Sequence, residues 1–218
     1  MTLLATLAPH SPVAQAYGRV GDPQDLPALL GATNCSRALE TLRREQPSQA
    51  ARVIAGWLST REAIWWGALC QSQLLELAGH DQAVETLKSV VLWVRDPGES
   101  SRLSIANRNK GNESASLAQL ATAVTLTADS LSPYGASPIA TPMGLAHRMA
   151  ALSVLAAANE WPTTGRKDCL DHFLDIGLDV SECKYPWSQA PLAPHPGLRP
   201  QMAKAPGKRK LGNIWEEW

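Results

Sequence analysis

The sequence predicts an all-α protein, and three observations carry that prediction. Ala/Leu-rich segments recur at helical spacing, β-branched runs with period-two alternation are absent, and helix-start signatures open several of the segments. At 218 residues the chain can bury a sizeable core without disulfides or a structural metal. The expected architecture is a compact bundle of about eight helices over residues 34–183. Residues 1–33 precede it as an irregular arm, and residues 184–218 follow as a Pro-rich, basic linker ending in a short Trp-containing segment.

The arm holds Pro9, Pro12, Pro23 and Pro27 with Gly18, Gly21 and Gly31, a density that breaks regular structure. The first helix starts after Asn34 and runs through SRALETLRREQ until Pro47; the second follows Ser48 as QAARVIAGWL. Ser59 and Glu62 form a capping box that opens the third, which carries Trp65 and Trp66 and stops near Gly79. Asp81 caps the fourth, QAVETLKSVVLWVR. In DPGE, Asp96 is expected at the cap of the fifth, with Pro97 at its first position and Glu99 at its third. That helix, GESSRLSIANRNKG, is polar enough to lie on the surface. The sixth spans about Ala115–Asp129. A loop, SLSPYGASPIATP, then leads to a Thr141-Pro142 cap and the small-residue helix MGLAHRMAALSVLAAANE. Thr164 opens the last, GRKDCLDHFLDIG, which ends near Gly177.

Residues 63–70 of REAIWWGALC are apolar all round, the mark of a central buried helix and not of an exposed aromatic platform. Trp66, Cys70, Gln73 and Leu77 share one face of it, Trp65, Leu69 and Ser72 an adjoining one. The stretch from Arg61 to Pro97 resembles a single tetratricopeptide hairpin. Pro97 falls about two positions late for that pattern, Gly67 stands where it wants a large residue, and no second copy follows. Such packing is therefore expected at most locally.

No constellation of residues supports catalysis. Cys35, Cys70, Cys169 and Cys183 are widely spaced, and Cys169 with His172 makes a C-x-x-H short of the ligands a zinc site needs. Asp168, Asp171 and Asp175 form a stripe along the last helix; it reads as an exposed acidic face that could receive Lys208, Arg209 and Lys210. His10, His80, His147, His172 and His195 form no HExxH, and the glycines form no phosphate-binding loop. No catalytic residue, metal ligand or cofactor is assigned. No apolar run approaches membrane-spanning length, and no basic residue precedes Arg19, so neither a span nor a secretory signal is expected and the protein is placed in the cytoplasm.

Net charge is zero but unevenly spread. Residues 184–218 hold six Lys/Arg against Glu216 and Glu217, which leaves fourteen basic and eighteen acidic residues for 1–183. An acidic body with a basic tail suggests self-docking or a partner for the tail, not nucleic-acid binding by the folded part. Within the tail, Leu211, Ile214, Trp215 and Trp218 fall at the spacing of a helix lying in a groove, behind the Lys208-Arg209-Lys210 cluster. These seven residues are the candidate partner-binding site.

The order of REAIWWGALC, VVLWVRDPGESSR, LATAVTLTADSLSP and CLDHFLDIGLDV resembles a bacterial family of small all-helical proteins known as a domain of unknown function. The likeness covers about residues 35–180 and departs at TLTADSLSP, where an aromatic residue and glycines would precede the Ser-Leu. Its members are associated with type VI secretion gene clusters. The resemblance implies a non-enzymatic accessory protein, an adaptor or chaperone for an effector or spike component. The alternatives are an immunity protein that neutralises a toxin, an enzyme built on Asp168, Asp171, His172 and Asp175, and a structural homo-oligomer with swapped tails.

Overall fold

A computed structural model describes residue 16 and residues 19–20, 35–78, 81–108, 114–132, 137–161 and 166–187. Among them are eight helices: α1 Cys35–Glu45, α2 Pro47–Trp57, α3 Thr60–Ala78, α4 Asp81–Arg95, α5 Glu99–Arg108, α6 Ala115–Thr125, α7 Leu145–Glu160 and α8 Arg166–Ser181. The described residues contain no strand, only an isolated antiparallel bridge between Ser130 and Ala140. The all-α expectation holds.

Local chemistry explains where the helices start and stop. At α3 the capping box forms as expected: Ser59 N–H donates to Glu62 Oε2 at 2.8 Å, and Glu62 N–H returns to Ser59 Oγ at 3.3 Å. Helix α2 starts earlier than Ser48 suggests. Pro47 sits in its first turn, where a missing N–H costs nothing, and the Gln46 carbonyl accepts from Gln49 and Ala50.

Asp96 does not cap α5. Its amide still donates to Leu92 O and so closes α4, while Gly98 O accepts from Arg102 and takes the capping position. Glu99 reaches forward to Arg102 Nε at 2.8 Å instead of back to Asp96. Helix α6 stops at Thr125, short of Asp129: Leu126 N–H still donates to Thr122 O, and beyond it both the amide and the hydroxyl of Thr127 turn to Val124 O.

Thr141 does not cap α7. Its hydroxyl donates to Ala128 O and its amide to Asp129 O, so it belongs to the loop, and Gly144 with φ +78° leads into the helix. Helix α8 runs through Gly177 to Ser181. It ends with Cys183 in the left-handed region, φ 59°, with Cys183 N–H donating to Val180 O and Lys184 N–H to Asp179 O. That pair of bonds is a Schellman stop, built on a residue type that gives no glycine signal in the sequence.

Helices α3 and α7 form the centre. Helix α3 packs on α4, α6, α7 and α8, and its residues 63–75 are all buried. Helix α7 lies against α2, α3, α6 and α8, and its buried Ala146, Ala150, Ala151, Ala157 and Ala158 let those neighbours approach closely. Trp66 is fully buried and Trp65 is 2% exposed. Trp66 Nε1–H donates to Phe173 O at 2.7 Å, which ties α3 to α8, and Phe173 stands edge-to-face with Trp161 at 6.0 Å. A polar seam, buried at Gln71, Ser116 and Ser153 and open to water at Glu160, joins α3, α6 and α7. Gln71 Nε2–H donates to Ser153 Oγ, the Ser116 hydroxyl lies between Gln71 Oε1 and Glu160 Oε2, and Glu160 Oε1 accepts from Ser116 N–H at 2.8 Å. The carboxylate thus sits at the N-terminus of α6, where exposed amides and the helix dipole favour an anion.

The described part of the arm seals one edge. Ala16 and Val20 are buried, and Arg19 Nη1–H donates to Gly56 O at 3.0 Å. A Cβ at Gly56 would lie 1.8 Å from Ala16 O, and one at Gly144 would lie 1.7 Å from Arg19 O. Glycine at both positions lets the chain pass over α2 and the start of α7. No helix among the described residues is long and apolar enough to cross a membrane.

Candidate functional site

The segment between α6 and α7 folds back on itself. Leu131 N–H donates to Ile139 O at 2.8 Å, and Thr141 N–H to Asp129 O at 3.0 Å. Serine hydroxyls brace the turn: Ser130 Oγ accepts from Ile139 N–H and Ser132 N–H, both at 3.1 Å, and the Ser132 hydroxyl donates to Ser137 O. This frame holds three large apolar side chains in water, with Leu131 45%, Ile139 62% and Met143 86% exposed.

At the foot of this loop lies an open groove of about 430 Å³. Arg61, Trp93, Pro97, Asp129, Pro142 and His147 contribute to its walls. The Arg61 guanidinium is committed. Its Nε donates to Val94 O and its Nη2 to Arg95 O at 2.7 Å, so it covers the last carbonyls of α4, and its Cζ lies 4.5 Å from the ring centre of Trp187. His147 Nε2 lies 3.2 Å from Leu58 O. Burial pushes its pKa below the usual imidazole value; the bond to Leu58 opposes the shift, and the Arg19 charge adds to it.

The residues singled out from sequence are dispersed. Leu211, Ile214, Trp215, Trp218, Lys208, Arg209 and Lys210 lie outside the described residues. Trp65 and Trp66 belong to the core, and Trp65 Nε1–H donates to Tyr185 O at 2.7 Å. Along the acidic stripe, Arg43 of α1 supplies the positive charge: its Nη1 is 2.6 Å from Asp175 Oδ1, its Nε 3.8 Å from Asp171 Oδ1, and its Nη2 donates to Asp171 O. This contact joins α1 to α8 and leaves the side chains of Asp171 and Asp175 40% and 51% exposed; the Lys208-Arg209-Lys210 cluster expected along the stripe lies outside the described residues. Asp168 is exposed.

Cys169 and His172 diverge. Cys169 is buried beside Cys70, while His172 Nε2 lies 3.1 Å from Gln73 Oε1. Burial pushes the Cys169 thiol up to about 12 and Cys70 well above its usual value, with Cys169 adding to the shift at Cys70. Neither thiol is prepared to act as a nucleophile. Among the described residues no group of three or more His, Cys, Asp or Glu side chains could hold a metal ion.

Sequence reasoning passed over the loop. The available signal was Leu131, Ile139 and Met143 inside a stretch otherwise made of Ser, Pro, Gly, Ala, Thr and Tyr134, where apolar residues have no helical face to join.

A family model described as a family of unknown function (DUF6931) matches residues 38–181, a span that reaches from α1 to the end of α8. No curated protein and no solved structure matches the chain.

Proposed function

The chain belongs to the family of unknown function designated DUF6931, and from that premise we propose that it is a non-enzymatic accessory protein that works by binding another protein. The exposed set Leu131, Ile139 and Met143 on a hydrogen-bonded loop carries the proposal. Apolar side chains exposed on one short braced segment gain nothing in the free protein, and a partner that covers this segment would bury them. The tail residues Leu211, Ile214, Trp215 and Trp218, with Lys208, Arg209 and Lys210, supply a second contact.

The finer reading is a cytoplasmic bacterial adaptor or chaperone that engages an effector or spike component of a type VI secretion cluster. Its support is the resemblance set out from the sequence. Pull-down against purified candidates from such a cluster tests it. Three baits are compared: the full chain, a Leu131→Ser/Ile139→Ser/Met143→Ser variant, and a chain ending at Trp187, which keeps the Tyr185 and Trp187 contacts. Loss of recovery with the triple variant, at unchanged melting temperature, is the expected result. Equal recovery by all three baits removes both surfaces from the account.

A further inference from the structure

We propose that the groove at the foot of the α6–α7 loop is the docking site of this chain's own Pro-rich segment, residues 188–200. The first argument is where the described chain leaves off. Beyond α8 the backbone is fastened to α3: Tyr185 O accepts from Trp65 Nε1–H, and the Trp187 ring lies 4.5 Å from the Arg61 guanidinium carbon. Arg61 is itself fixed by the end of α4 and is one wall of the groove. Trp187, the last described residue, therefore lies against a side chain that forms one wall of the groove. From Trp187 to Pro194 a polyproline II strand covers about 22 Å, enough to cross the groove without any intervening linker.

The second argument is chemical. Residues 191–194 read Pro-Leu-Ala-Pro, followed by Pro196 and Pro200. Segments of the P-x-x-P type bind grooves lined by aromatic and other flat apolar surfaces, because they arrive already extended and lose little entropy. Trp93, Pro97, Leu126 and Pro142 provide such a lining.

Size favours this occupant over the terminal segment. At about 430 Å³ the groove stands near the lower end of the volumes that take small ligands, about 300–1,000 Å³. A short extended strand of Pro, Ala and Leu suits that space better than a helix bearing Trp215 and Trp218. Direct tethering also makes the local concentration high, so a contact that would be weak between separate molecules suffices.

The experiment places a photoactivatable benzophenone amino acid at Met143 in the full chain. Met143 is exposed and adjoins Pro142 of the groove. After irradiation, cross-linked peptides are mapped by mass spectrometry. The expected product is a cross-link within one chain to residues 188–200, lost when Pro191→Ala and Pro194→Ala are introduced together. Cross-links to residues 205–218, cross-links between two copies, no cross-link to the tail, or an unchanged yield in the double variant each overturn the proposal. Partner recovery by the Leu131→Ser/Ile139→Ser/Met143→Ser variant is a separate readout, so strand docking and partner binding fail independently.

Discussion

Gly177 is a mid-helix glycine whose exchange for alanine should destabilise the protein, against the usual trend. Helix propensity favours alanine at such a position by about 1 kcal/mol. Here the added Cβ would lie 2.8 Å from Ile54 Cγ2 and 2.9 Å from Trp66 Cε2. The indole cannot swing aside without giving up its bond to Phe173 O. Overpacking of this kind costs about 1–3 kcal/mol, so Gly177→Ala is expected to lower the urea midpoint. A raised midpoint would mean that the α3–α8 contact is looser than described.

His147 gives a pH-dependent counterpart. Its folded pKa is depressed, first by burial and then by Arg19, so the unfolded chain binds the proton more readily. Its contribution to stability is complete above the ordinary imidazole pKa of about 6.5 and is lost as pH falls below it. His147→Gln should flatten the stability profile between about pH 7 and 5. The thiols complete the residue scale. In native protein a maleimide should modify exposed Cys183 quickly, while buried Cys70 and Cys169 stay protected until denaturant is added.

Between elements, the Arg61 contact with α4 and Trp187 is the most consequential. Arg61→Met keeps the aliphatic stem but removes the donors that cover Val94 O and Arg95 O and the cation above Trp187. Hydrogen exchange should accelerate over residues 90–96 and 185–187 and stay unchanged in α7. Uniform acceleration would show a general loss of stability instead. The elements themselves were legible wherever their signals are local. The Ser59–Glu62 box, the apolar run of α3 and the faces carrying Trp66, Cys70 and Gln73 all read correctly, since periodicity and spacing report them directly. Helix ends read poorly where tertiary contacts decide. Gly177 looks like a stop and is a packing position against Ile54 and Trp66. Thr141 looks like a cap but is held by Ala128 and Asp129 across the loop. Cys183 gives no stop signal, yet it closes α8.

For the whole molecule, periodicity disclosed a helical bundle with α3 at its centre, but not the site proposed here. The loop between α6 and α7 has no repeat, and its order comes from serine hydroxyls and a single backbone bridge that no short-range pattern announces. What distinguishes its apolar residues is the absence of a buried face to join, which becomes visible only once the helices are packed. The account's central claim is that this loop is a protein-binding surface. Its most direct measurement is a calorimetric titration of the full chain with a purified effector or spike component, repeated with the Leu131→Ser/Ile139→Ser/Met143→Ser variant. Central apolar contacts are worth about 1 kcal/mol or more each, so affinity should fall by at least about tenfold while the melting temperature stays the same. Saturable binding with the same affinity in both proteins would contradict the claim.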